Sequence, residues 1–175
     1  MDAANTDPNY TDSDAGTATG ITRTTPIVDL DTLRSKVGSE LGVTEWRLVD
    51  QDLIDRFAAV SGDSNWIHVD PERARVQTDF GGTIAHGHLT LLLVSRFVAE
   101  LIEVEQLSRV ALNYGMNRVR FLSPVPAGSS VRGRVSVKAI DPIPGGVQLT
   151  MDVVIECDRS DRPACVAEPL FRLYE

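Results

Sequence analysis

Gly87-His88-Leu89-Thr90-Leu91-Leu92-Leu93-Val94 runs on through Ser95-Arg96-Phe97-Val98-Ala99-Glu100 towards Val104, with apolar side chains on nearly every helical face until Ser95. A helix that is apolar all round must be surrounded by other structure rather than lie on a surface. A bilayer crossing needs about 20 predominantly apolar residues. This run is shorter and holds Arg96, Glu100 and Glu103, so it reads as one long helix, His88 to Val104, at the centre of a folded domain.

C-terminal to that helix the hydrophobic period changes from helical to two. Met116–Leu122 and Val131–Ile140 read as strands, the second alternating Val131, Val135 and Val137 with Arg132, Arg134, Ser136 and Lys138. Val147, Leu149, Met151, Val153 and Ile155 alternate with Gln148, Thr150, Asp152 and Glu156, and Gly145-Gly146 marks the hairpin between the two. A last strand spans about Ala164 to Tyr174, where Pro169 implies a bulge or a sheet edge. Four antiparallel strands following one buried helix make an α+β domain. A curved sheet wrapped around a central helix is the hotdog arrangement, and the absence of an internal repeat predicts a single copy of it.

On the N-terminal side, Leu30, Leu33, Val37 and Leu41 predict a helix closing at Gly42, followed by a strand over Val43–Val49. Asp50 reads as the N-cap of a helix with Leu53, Ile54, Phe57 and Val60 on one face, and Gly62 as its left-handed cap. Asp70-Pro71 opens another helix. Residues 1–25 are rich in Asp, Thr, Ala, Asn and Gly with almost no large apolar side chains. Such a segment buries too little surface to offset its ordering entropy and is expected to be disordered; the domain is expected to occupy 26–175.

The formal net charge of −8 argues against a nucleic-acid surface, which needs clustered Lys and Arg. The N-terminus shows no charged segment followed by an apolar run, so a soluble, cytoplasmic protein is expected. Cys157 and Cys165 flank a predicted hairpin loop and would lie opposite each other across two strands as small buried thiols.

Chemistry concentrates in Gly62-Asp63-Ser64-Asn65-Trp66-Ile67-His68 and in Ala85-His86-Gly87-His88. A carboxylate and an imidazole five positions apart in a turn can share one water, Asp63 and His68 together serving as base and proton source. Gly87 offers a bare backbone N–H at a positive helix end, suited to an oxygen that gains negative charge. These parts suit addition of water to a conjugated thioester, which is electrophilic at its β-carbon. His86 and His88 sit at a helix start with no cysteine near; no metal is expected, and His86 reads as an anchor for the loop that presents Gly87.

The pair Asp63 and His68, the following Asp70-Pro71 and Ile84-Ala85-His86-Gly87 resemble the hydratase signature of the MaoC-like dehydratases. The likeness extends to Asn113–Phe121 and Pro124–Gly128. The resemblance implies a hotdog homodimer acting as an (R)-specific enoyl-CoA hydratase or 3-hydroxyacyl-thioester dehydratase. Asp63 and His68 would hold the water and Gly87 the thioester carbonyl, with Ser95 and Asn65 supporting the pair. No metal or redox cofactor is implied; coenzyme A or acyl carrier protein carries the acyl substrate, and no membrane or nucleic acid takes part. The chain departs from the common pattern at Trp66, where proline is frequent, and at His88, where an apolar residue is usual. Arg73, Arg75, Arg96, Arg118, Arg120 and Lys138 are candidates for a positive rim, none assigned. Two alternatives remain open: a hotdog acyl-CoA thioesterase, and a non-catalytic thioester-binding subunit of a heterodimer.

Overall fold

In the computed structural model, which describes residues 26–175, the chain forms α1 (Leu30–Ser35), β1 (Glu40–Val43), β2 (Arg47–Val49), α2 (Gln51–Ser61), α3 (Trp66–Val69) and α4 (Pro71–Gln77). These are followed by α5 (Gly87–Ala99), α6 (Val104–Leu107), β3 (Val110–Phe121), β4 (Ser129–Ile143), β5 (Gly146–Cys157) and β6 (Cys165–Tyr174). The tail over 1–25 that was expected to be disordered lies outside the described residues.

All six strands join one sheet in the order β1-β4-β5-β6-β3, with β2 also pairing β4. Every pairing is antiparallel. The helix α5 packs on β4, β5 and β6. Its Leu89, Val94, Phe97 and Val98 enter one core with Val131, Val135, Leu149, Met151, Val153 and Ile155. This is the hotdog architecture. Gly133 of β4 makes the close helix–sheet approach possible, because a Cβ there would lie 2.7 Å from three atoms of Phe97.

The central helix is shorter and less enclosed than its composition predicts. It ends at Ala99, and Val104 starts the separate short α6. A stripe at helical spacing, His88, Leu92, Ser95 and Ala99, faces outward, with Leu92 62% exposed. Arg96 beside it is exposed too, and Leu89, Thr90, Val94, Phe97 and Val98 are buried.

The first predicted helix also stops early, at Ser35. Gly38, at φ 80°, turns the chain, and its N–H donates to Val137 O at 2.8 Å. Glu40, Gly42 and Val43 then pair with β4 as β1, with Leu41 at a register shift between Glu40 and Gly42. Hydrogen bonding to an open sheet edge outweighs a helical hydrophobic period here, as tertiary pairing often overrides local pattern. The strand predicted over Val43–Val49 is likewise split, with Thr44 bridging the gap through its N–H to Gly133 O and its Oγ1 accepting from Gly133 N, both at 2.9 Å.

Asp50 caps α2 as expected, accepting from Leu53 N at 2.8 Å, and Gly62 closes it at φ 76°. The inward face of α2 comprises Leu53, Ile54, Phe57 and Ala58; Val60 points to solvent, 88% exposed. Asp70 caps α4, with Pro71 in its first turn. Pro169 marks an irregularity and not an edge. β6 lies between β5 and β3, its pairing with β5 skips Pro169, and β3 carries two register shifts opposite β6.

β3 forms one edge of the sheet, opposite β1 and β2, and is longer than the predicted Met116–Leu122. Cys165 faces Ile155 and Cys157 faces Val131, so the cysteines are offset and not opposed. Both are free and buried. Burial pushes the Cys165 thiol up to about 11, far from the reactive thiolate.

Candidate active site

The helix cap at Gly62 reverses the chain, and the next residues fold by their own side chains. Asp63 Oδ1 accepts from Asn65 N at 3.3 Å, and Asn65 Oδ1 accepts from Ile67 N at 3.3 Å. Asn65 is thereby the N-cap of α3. The predicted turn therefore contains one helical turn, which carries His68 inward while Asp63 stays exposed. Trp66, the first residue of this turn, lies under the guanidinium of Arg73, 4.3 Å from the ring centre.

His68 is buried, and its Nδ1 lies 2.7 Å from Ile84 O. A carbonyl oxygen accepts and cannot donate, so Nδ1 carries the proton of the neutral ring and Nε2 is the basic nitrogen. The Ile84 N–H returns to Ile67 O at 3.1 Å, which ties this loop to the segment before α5.

His86 does for Asp63 what Ile84 does for His68. Its Nε2 donates to the Asp63 carbonyl at 2.9 Å, and its ring stacks on His68 at 3.8 Å between centres and 26° between planes. Phe57 packs on its other side, 5.0 Å away. His86 is 2% exposed and its Nδ1 has no partner. The ring thus holds the Asp63 backbone and the His68 ring at once.

Donor atoms of Asp63, His68 and His86 all lie within 4.8 Å of one another. Imidazole lone pairs lie in the ring plane, and the stacking of these two rings at 26° does not favour their meeting on one ion. Each ring also has one nitrogen committed to a carbonyl.

Gly87 is the first residue of α5, preceded by His86 at the cap with no side-chain bond. Its N–H is one of those a helix leaves without an internal partner. The ring of Phe121 covers Gly87, and a Cβ there would sit 3.2–3.3 Å from three ring carbons. His68, Gly87 and Thr90 share a cleft of about 370 Å³ with Phe121, Leu122 and Val125. A base and a helix-end N–H therefore lie on the walls of one mostly apolar cavity beside a carboxylate, a geometry that suits charge developing on an enclosed substrate.

Ser95 stands apart from this group. It is exposed, eight residues beyond Gly87, about 12 Å along the helix at 1.5 Å per residue. Its Oγ accepts from Asn113 at 3.5 Å. The polar group on α5 that lines the cleft is Thr90, whose hydroxyl donates to His86 O at 3.4 Å. A threonine one turn after Gly87 in an otherwise apolar run was the available signal. Gln51 was also legible only as a residue after a cap; its Nε2 donates to His68 O at 2.7 Å and its Oε1 accepts from Thr83.

The MaoC like domain model matches residues 33–156. The chain is 42% identical over 141 residues to 3-hydroxyacyl-thioester dehydratase Z of Mycobacterium tuberculosis, covering 80% of this chain and 92% of that protein. It is 46% identical over 135 residues to nodulation protein N of Rhizobium leguminosarum bv. viciae, covering 76% and 83% respectively. Among solved structures, the (R)-hydratase from A. caviae involved in PHA biosynthesis superposes with a TM-score of 0.64 at 25% identity, covering 78% of this chain and 96% of that one.

Proposed function

Because the chain belongs to the MaoC-like dehydratase family, we propose that it interconverts trans-2-enoyl and (R)-3-hydroxyacyl thioesters by adding or removing water. The observation that carries this reading is the 2.7 Å contact between His68 Nδ1 and Ile84 O, from which the tautomer follows. With Nδ1–H bound to Ile84 O, the free nitrogen is Nε2 on a ring that lines the cleft, with the Asp63 carboxylate beside it. In the hydration direction His68 Nε2 accepts one proton of a water whose second hydrogen is held by Asp63. The water oxygen bonds to the β-carbon, and the double-bond electrons move through the α-carbon onto the thioester oxygen.

The Gly87 N–H, at the positive end of α5, stabilises that oxygen. The imidazolium then returns its proton to the α-carbon, so one water is added and the base is regenerated. Positioned acid–base groups contribute roughly 10²–10⁴ in rate, and one oxyanion donor about 10²–10³. Asn65 supports the pair by fixing the Asp63 turn. Water and a proton are the whole reagent list, so the reaction needs no metal or redox cofactor. The acyl group arrives on coenzyme A or acyl carrier protein.

The active unit under this reading is a homodimer. β3 is one sheet edge, with Val110, Leu112 and Tyr114 exposed, and Asn113 touches the outward stripe of α5 that includes Leu92. An open edge beside exposed apolar side chains is a surface that proteins cover. Loss of enoyl absorbance with crotonyl-CoA and longer enoyl-CoA tests the activity. Turnover by the wild type and a fall of at least about 100-fold in Asp63→Asn are expected. No turnover at any chain length, or full activity in that variant, rejects the assignment.

A further inference from the structure

A second cleft, of about 360 Å³, lies at the other end of the ribbon in which Ile84 bridges Pro126. The active-site cleft takes Ile84, Ala85 and Val125 from this ribbon, and the second takes Gly82, Thr83, Pro126 and Ala127. At about 3.3 Å per residue the two are separated by roughly 10 Å of extended chain. A pantetheine arm is long enough to cover that span. Gln51 lines the second cleft while bonding the His68 carbonyl, so the two share a wall.

Its remaining lining is specific in kind. Phe80 offers an aromatic ring that is 41% exposed, and Glu72, Arg75 and Arg159 bring one carboxylate and two guanidinium groups. Among the described residues Arg75 and Arg159 form no ion pair, and both line this one cleft. Arg159 spends one N–H on Gly128 O at 2.7 Å and keeps the rest. The cleft thus gathers on one concavity two guanidinium groups that no described carboxylate neutralises.

We propose that this second cleft is a subsite for the adenosine bisphosphate end of coenzyme A. The purine lies on Phe80, its amino group donates to Glu72, and Arg75 and Arg159 hold phosphate oxygens. Guanidinium forks suit phosphate, and an aromatic face suits a purine. A purely apolar ligand would leave all three charges unused. The assignment rests on the acyl-thioester reading of the first cleft, and binding separates the two claims.

Free coenzyme A, adenosine 3′,5′-bisphosphate and pantetheine are titrated calorimetrically into the full chain and into Arg75→Ala, Arg159→Ala and the double variant. Each single change is expected to weaken coenzyme A and the bisphosphate about tenfold, with the double variant weaker still and pantetheine unaffected. In turnover, KM for an enoyl-CoA rises by the same factor with kcat within about twofold, while the enoyl-N-acetylcysteamine thioester is unchanged. Arg75→Lys restores part of the affinity. Equal binding of coenzyme A by wild type and double variant overturns the subsite, as does binding of coenzyme A no tighter than pantetheine. Arginine-dependent binding without turnover would sink the hydratase reading and leave the subsite standing.

Discussion

Replacing His68 by Asn separates the base from the anchor. An asparagine amide places an N–H where Nδ1 now sits, so the bond to Ile84 O, 2.7 Å in the native protein, is retained. What disappears is Nε2, together with the stack on His86. An aromatic pair contributes about 0.5–1.5 kcal/mol beyond its burial. Removing the outer ring atoms from a buried site adds about 1 kcal/mol. The variant should therefore unfold some 1.5–2.5 kcal/mol more easily, or about 3–10 °C lower at roughly 2–4 °C per kcal/mol for a chain of this size.

The catalytic loss should be larger. Removing the group that takes the water proton costs a factor of 10²–10⁴ in kcat, about 3–5 kcal/mol of barrier at 1.36 kcal/mol per decade. Enoyl-thioester absorbance at saturating substrate gives kcat, and a thermal melt in the same buffer gives the stability. A folded His68→Asn protein with kcat within a few-fold of wild type would refute the role of Nε2. A melt that collapses well beyond 10 °C would show instead that the ring itself holds the loop.

Two further outcomes concern the frame. Gly133→Ala forces a Cβ to within 2.7 Å of Phe97, which is fully buried, so overpacking should cost about 1–3 kcal/mol in chemical denaturation, and a neutral result would mean that α5 is free to shift. Burial raises the pKa of Glu156, but hydrogen bonds and charge from Arg132 and Arg134 outweigh it and hold the carboxyl below its ordinary 4.5. Such a group stabilises the fold above its unfolded pKa, and the contribution is lost as pH falls through the lower folded value. The melting temperature of Glu156→Gln should thus lie furthest below wild type above pH 5 and approach it as pH falls through the lowered folded value; a gap independent of pH would show that the Arg132–Glu156–Arg134 bonds act without the charge.

Legibility in the sequence followed locality. The cap at Asp50, the stop at Gly62, the Asp70-Pro71 start and the hairpin at Gly145-Gly146 rest on residues whose backbone demands are met within a few positions. Leu30, Leu33, Val37 and Leu41 misled because the partner that reclaims Leu41 is β4, far along the chain. Val60 shows the same weakness within one helix, since several rotations of an apolar stripe fit the composition and the core selects one. The central helix was over-read for a related reason. Leu92 stays 62% exposed among the described residues, and composition alone cannot distinguish a surface covered by the same chain from one left for a partner.

The site followed the same division. That Asp63, His68 and Gly87 gather near one cleft was available from their spacing around a helix stop and a helix start. The means of their gathering was not, because it lies almost wholly in main-chain atoms. Ile84 O holds one imidazole, Asp63 O holds the other, Ile67 O takes the Ile84 N–H and Val125 O the Ala85 N–H. Side-chain identity carries no record of which carbonyl will face it. His86 is the exception that joins the two levels, an imidazole whose stacking orients His68 and whose N–H orients the Asp63 backbone. Under the proposed reading such a histidine acts through Asp63 and His68, which makes the register of Ile84–Gly87 as important to the chemistry as those two side chains themselves.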